Sequence, residues 1–427
     1  DRDATAVELA DVSLWLDTMA EGLQAPWFGL HLRRGNSLVG ARRATYSRAQ
    51  VTSKDWLKAV PADALLSEMD AEPDTDSAVS AVDGRVHHFL LPAEGWGSAV
   101  GAKEAKLAQE TVTALKKWRS AALSKPSRKQ VDSLVDLARR VEVLWQFALK
   151  RLSIAEGEIR RSIDVWGAGD LRTGGAVPRE QIEESLADAN GAYRRVRRVM
   201  DARCALWFWP LTEASTTVAI DGVAQTVSPP TVDEWILACQ KLLGVSGKTV
   251  NKDQFTFADA VSWDELASAE RINLEFAAAA SVDEVLKAHP WLIVCDRVAQ
   301  RQGFFHWELD FAPMFARGGF DLQVGNPPWV RPRSDVDALL AEGDPWWQLA
   351  VRPTQSEVKR KREETLALPG IVDLVVDGTS DIACLAAFVG PSQQYPHPAG
   401  LQPDPYRCFT GQSWRHQTAT GRTGLAP

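Results

Sequence analysis

The chain has few of the residues that staple small or secreted proteins together. Only five cysteines occur in 427 residues. Cys204, Cys239, Cys295, Cys384 and Cys408 are scattered, odd in number and never spaced as CxxC. That pattern argues against a zinc site and a disulfide framework, and suits a reducing cytoplasm. No run of about 18 apolar residues exists, so no transmembrane helix and no membrane partner are expected. Positive charge is not in excess: the formal net charge is −8. Nucleic-acid binding would therefore have to rest on local patches. No internal repeat, PD…ExK-like nuclease signature or Walker loop is visible. The opening "DRDATAVELADVSLWLDTM" lacks the basic and apolar regions of a signal peptide.

What is present is ordinary for a globular protein, with 45% apolar and 24% charged residues. The length allows two or three domains. Val7, Ala10 and Leu14 fall at helical spacing, so the chain opens on a helix already under way. "GRTGLAP" reads as the start of a strand that is cut off, and the reading expects a piece of a longer protein. Residues 1–45 give that helix, a turn around "GLQAPWFG", then a strand leading into "RRGNSLVGARR". Residues 46–98 are mixed, with "AEPDTDS" and "LPAEGWG" as surface connections. Residues 99–205 are strongly helical. Val131, Leu134, Val135, Ala138, Val141, Trp145 and Leu152 fall on one face. A second long helix starts near Pro178 and runs through "LWFW", giving an antiparallel helical hairpin or bundle. "TVDEWILACQKLLG" is a shorter helix. Alternation returns from about residue 301 in "FFHWELDF" and "FDLQVG", followed by helices near 354–366 and 379–389. The pattern is an α/β fold with a long helical interruption.

The stretch "FDLQVGNPPWVRPR", residues 320–333, carries the chemistry. A short apolar strand stops at Asn326-Pro327-Pro328-Trp329, because proline has no N–H to extend a sheet. Open α/β sheets bind ligands at the carboxyl ends of their strands. Asn326 offers a side-chain carbonyl, and Pro327 fixes the backbone so that its own carbonyl can point into the crevice. Together they are two acceptors for one –NH₂ group, and Trp329 is a flat face for a planar ring. An amine held this way becomes a better nucleophile toward a methyl sulfonium, without a metal or a strong base. The plainer alternative is a turn with no further role, since Asn-Pro-Pro is common loop chemistry.

"FFHWELDFAPMFARGGFDLQVGNPPWVR" resembles the catalytic motif region of large bacterial adenine-N6 DNA methyltransferases. These are the fused Type IIG-like restriction–modification enzymes and the methylases of DISARM- and BREX-like phage-defence systems. "DRDATAVELADVSLWLDTM…HLRRGNSLVGA" is similar to the segment in which such enzymes run from the second strand through the third. The likeness covers residues 1–45 and 301–335 and continues more weakly to the end. It implies a partial Rossmann-like, S-adenosylmethionine-dependent methyltransferase sheet. Residues 1–45 and 301–427 would form the methyltransferase core, and residues 46–300 a mostly helical insertion. Asp1 would hold the ribose of S-adenosylmethionine, with Asp3 as runner-up, and Asn36 would lie beside the cofactor's adenine. Asn326 and Pro327, followed by Pro328, would hold the target adenine, and Trp329 would stack on the flipped base. Arg331 and Arg333 would touch phosphates of double-stranded DNA. Other restriction or defence subunits would be partners. The family's glycine-rich cofactor loop is expected upstream of Asp1, its later strands and most of its target-recognition region beyond Pro427, and Pro405 in "PDPYRCF" replaces an aliphatic residue.

Other features have bland readings. "RRVRR" (194–198) reads as a solvated helix face, and "KRKR" (359–362) as either that or a DNA-backbone contact. His306 and Trp307 read as strand packing. His87-His88 is isolated from further metal ligands. "WFWP" and "DPWW" read as packing. Two other functions stay open: a methyltransferase for RNA or protein glutamine, and a non-catalytic DNA-binding or assembly module derived from such an enzyme.

Overall fold

The computed structural model describes residues 3–19, 27–69, 84–158, 177–246, 262–329, 333–397 and 404–426. The fold is mixed α/β, mostly helical with small sheets. Its main helices are α1 (Ala4–Asp17), α2 (Gln109–Ala122), α3 (Arg128–Glu158), α4 (Arg179–Ala187), α5 (Ala192–Ala205), α6 (Val232–Leu243), α7 (Trp291–Gln302), α8 (Gln355–Leu366), α9 (Ile371–Val389) and α10 (Pro405–His416). The strands are β1 (Ala44–Ser47), β2 (Ala62–Asp63), β3 (Arg85–His87), β4 (Thr217–Ile220), β5 (Val223–Thr226), β6 (Phe320–Gly325) and β7 (Gln417–Leu425). Among the described residues they form an antiparallel β2-β1-β3 sheet, a β4-β5 hairpin and a parallel β6-β7 pair.

The core is built around α3, which packs on α5, α6 and β3. Its predicted apolar face, from Val131 through Trp145 to Leu152, is buried throughout. Helix starts follow local sequence: Thr231 with Glu234, and Thr354 with Glu357, close reciprocal capping boxes that satisfy otherwise orphaned N–H groups. One continuous apolar cluster runs from Leu30 to Cys408, so the segments on either side of the helical region share its core. The five cysteines are free and buried. Among the described residues, no helix is long and apolar enough to cross a membrane.

Several expectations are corrected. Among the described residues, no strand leads into "RRGNSLVG": Phe28 O accepts from both His31 N and Leu32 N at 2.8 Å, closing a tight turn. The long helix after Pro178 breaks between α4 and α5. Asp188 accepts from Asn190 N at 2.9 Å in an Asx turn, and the buried Glu270 carboxylate accepts from Ala192 N. "LPAEGWG" is not a surface connection, apart from Glu94. Trp96 is fully buried between Trp118 and Trp235, and a Cβ on Gly95 would sit 1.8 Å from the Trp207 ring. "FFHWELDF" is no strand either. Residues 307–310 form one helical turn, because the buried Asp310 accepts from His306 N and from Tyr193 Oη.

"RRVRR" is not a solvated face. Arg194 is exposed, but Arg195 is buried, donating to the carbonyls of Leu242 and Ala280; Arg197 pairs with Asp310 and Arg198 with Asp296. In "KRKR", Arg360, Lys361 and Arg362 pair with Glu364, Asp344 and Glu104. The segment "AEPDTDS" lies outside the described residues.

Candidate functional site

β6 and β7 lie side by side and parallel, joined through the helices between them, α8 to α10 included. Both strands therefore deliver their carboxyl ends to the same edge. β6 ends at Gly325, whose carbonyl accepts from Ala426 N at 2.9 Å. The chain then leaves the ladder through Asn326-Pro327-Pro328. Asn326 is exposed, and Pro327 is buried at the turn. No hydrogen bond engages the Asn326 carboxamide among the described residues, so its carbonyl oxygen is free to accept.

A second segment reaches this edge from the other end of the chain. Residues 36–41 run beside 303–306: Asn36 bridges Phe304 in the parallel sense, Phe305 N donates to Val39 O at 2.8 Å, and Ala41 N donates to His306 Nδ1 at 2.9 Å. The approach is close enough that a Cβ on Gly40 would lie 1.8 Å from Phe305 O. Asn36 Oδ1 accepts from Leu38 N at 3.2 Å, fixing the side chain in an Asx turn.

Asn36, Asn326, Pro327 and Pro328 line one groove of about 800 Å³. That volume suits a cofactor or substrate site. Its far wall is the face of α10 carrying Pro405, Phe409, Gln412, Ser413 and His416, a set the sequence reading missed. Their spacing (i, i+4, i+7, i+8, i+11) was the available signal. His416 is buried against the rings of Trp307 and Phe315. Burial, with help from Arg415 and Arg42, pushes its pKa down to about 3, so the imidazole stays neutral. Glu308, in the recess behind the groove, has its pKa raised by burial. The groove thus presents amide and carbonyl acceptors and apolar rings, with a neutral imidazole in its wall. Among the described residues, no group of three or more His, Cys, Asp or Glu side chains is placed to hold a metal.

The other predicted site residues fall elsewhere. Trp329 is not in the groove lining. Its ring stacks on Tyr406 at 5.3 Å between centroids and 25° between planes, and its Nε1 donates to Ala426 O at 3.0 Å. Arg333 is exposed ahead of the short helix Val336–Ala341 and does not line the groove. Asp1 and Arg331 lie outside the described residues. Asp3 is the N-cap of α1, accepting from Ala6 N at 3.0 Å, which gives it a structural role. His306 is not strand packing: its Nε2 bonds Asp201 at 3.0 Å in a buried network. His87 and His88 are buried too, bonded to Glu142 and to the Arg42 backbone.

Of the contacts expected for S-adenosylmethionine, Asn36 is the one that the described residues place in the groove. Comparison with protein-family models, with curated proteins and with solved structures returns no match.

Proposed function

We propose that this chain carries the target-binding part of an adenine-N6 DNA methyltransferase of the Type IIG-like or phage-defence class. The observation that carries this reading is the meeting of Asn36 and Asn326-Pro327-Pro328, from opposite ends of the chain, in one groove at the carboxyl end of a parallel strand pair. That pair, with its helical crossover, is what a Rossmann-like sheet would contribute at this position.

In this reading the Asn326 carbonyl and the Pro327 carbonyl each accept one hydrogen of the adenine amine. The nitrogen lone pair is withdrawn from the ring, and the two acceptors stabilise positive charge as it develops. S-adenosylmethionine, when bound, supplies the methyl group. Asn36 would face its adenine. His416, being neutral, leaves the charge at the amine uncontested.

The deciding assay is methyl transfer from labelled S-adenosylmethionine to mixed-sequence duplex DNA by the product of the reading frame containing this chain. The expected product is N6-methyladenine. Label in cytosine, RNA or protein glutamine instead would overturn the adenine assignment. With the chain alone, calorimetric titration is expected to show no submicromolar binding of S-adenosylmethionine, since Asn36 by itself is a weak hold.

Trp329 gives a second check. Stacking on an extruded base is typically worth ~1–3 kcal/mol. Trp329→Ala should weaken the flipped state roughly 5- to 150-fold, and Trp329→Phe should keep much of the activity. The loss should shrink on a mismatched duplex, where extrusion costs less. Equal losses on matched and mismatched DNA would leave Trp329 with packing alone.

A further inference from the structure

Two segments leave the groove in the same way. Pro328 and Pro405 both line it, and each is followed by an aromatic residue, Trp329 and Tyr406. Those two rings meet at the rim in a near-parallel stack. Their anchoring is unequal. The Trp329 indole is tied by Nε1 to the backbone carbonyl of Ala426, at the exit of β7. Apart from that stack, the Tyr406 side chain is held, among the described residues, by Arg407 of the same first turn of α10, whose Nε donates to its hydroxyl at 2.9 Å and whose guanidinium lies 5.5 Å from its ring centroid. Tyr406 can therefore swing without breaking a bond to the sheet, whereas Trp329 cannot. Trp329 remains 42% exposed, although a ring already covers part of it.

We propose that Tyr406 is a stand-in for the ligand: its ring occupies the Trp329 face that a planar heteroaromatic base takes, and the entering base displaces it. The proposal rests on the base-binding reading of the groove and adds the residue that controls entry. The chemistry is symmetrical. A phenol and a nucleobase offer similar π-faces, so exchanging one for the other costs little. The stack keeps the apolar indole from full exposure while the groove is empty. It also sets a threshold, because a base too weakly stacking to compete with tyrosine is not retained.

The test uses the full-length protein and a short oligothymidylate carrying one 2-aminopurine, whose fluorescence is quenched on stacking against tryptophan. An aromatic pair of this kind is worth enough that removing the competitor should tighten probe binding roughly 2- to 12-fold in Tyr406→Ala. Tyr406→Leu retains apolar cover on the first turn of α10 and should shift binding in the same direction, which guards against a folding defect in the alanine variant. Tyr406→Phe keeps the competing ring and should stay near wild type. Adding Trp329→Ala to Tyr406→Ala should abolish the quench. Probe binding that is unchanged or weaker in both Tyr406→Ala and Tyr406→Leu overturns the stand-in role, leaving the base-binding reading intact if the wild type still quenches. Absence of quenching in every variant overturns both.

Discussion

Asn326→Ala is expected to lower methyl transfer by roughly 10²–10³-fold, the usual cost of removing one oriented group that stabilises transition-state charge. Folding should hardly change. Asn326 is exposed after the end of β6, and its carboxamide has no hydrogen-bond partner among the described residues, so nothing in the folded chain is left unsatisfied. Surface changes of that kind usually stay within about 0.5 kcal/mol. The measurement pairs a methyl-transfer rate with a denaturant melt of the same preparation. Normal activity, or an unfolded variant, would favour a turn without chemistry. Asn326→Asp is a useful companion, since a carboxylate keeps the acceptor but adds charge, and it separates loss of geometry from loss of neutrality.

The second large effect is on acid stability. His87, His88 and His416 are all buried, and all have pKa values lowered below the ordinary 6.5, chiefly by burial. His87 faces Glu142 and Arg43, His88 faces Arg203, Arg42 and His87, and His416 faces Arg415 and Arg42. Folded, they stay neutral; unfolded, they take up protons below 6.5. Their contribution is therefore whole above pH 6.5 and is lost as pH falls from there toward the folded values. Each can cost up to about 1.4 kcal/mol per pH unit. Acting together, they should make stability fall measurably as pH drops below 6.5. Glu142 and Asp310 act in the same direction at lower pH. Burial opposes their ionisation, but Arg43 with the His87 hydrogen bond at Glu142, and Arg197 with Arg33 and the Tyr193 hydrogen bond at Asp310, together hold both carboxyls below the usual range. Unfolding should thus ease well before carboxylates titrate. Thermal midpoints at pH 7.5 and 5.5 that coincide would refute this, and His416→Gln should reduce the slope if it folds.

Much of the local structure was legible, because local chemistry determines it. Pro327 and Pro328 end β6 where the strand pattern stops. The α3 stripe is buried as its spacing requires, and the capping boxes start α6 and α8 where Thr231 and Thr354 stand. The failures share a different cause. At 28–32, at 188–191 and at 304–310 the conformation is fixed by partners remote in sequence or by a single carbonyl, which periodicity cannot register. Arg195 and Arg197 read as surface because four arginines lie within five residues. They are buried or half-buried because carbonyls and Asp310 receive them. In the groove, NPP and Asn36 were visible as motifs. The α10 wall carries no motif of its own, only the i, i+4, i+7 spacing that any core-facing helix shows.

The bareness of β6 has a consequence for handling the protein. Leu322 and Val324 are 66% and 81% exposed, and among the described residues β6 pairs with β7 alone, so one of its edges is open. An open, apolar edge is a seed for intermolecular pairing, the route by which soluble chains turn into fibrils. The charge inside this strand is Asp321, at its start. What halts growth at the other end is Pro327-Pro328, which have no N–H to offer an incoming strand. Pro327, proposed to aim its carbonyl at the substrate, and its neighbour Pro328 thus also act as gatekeepers against aggregation, and replacing them for enzymological reasons would trade a lost activity for a sticky seam.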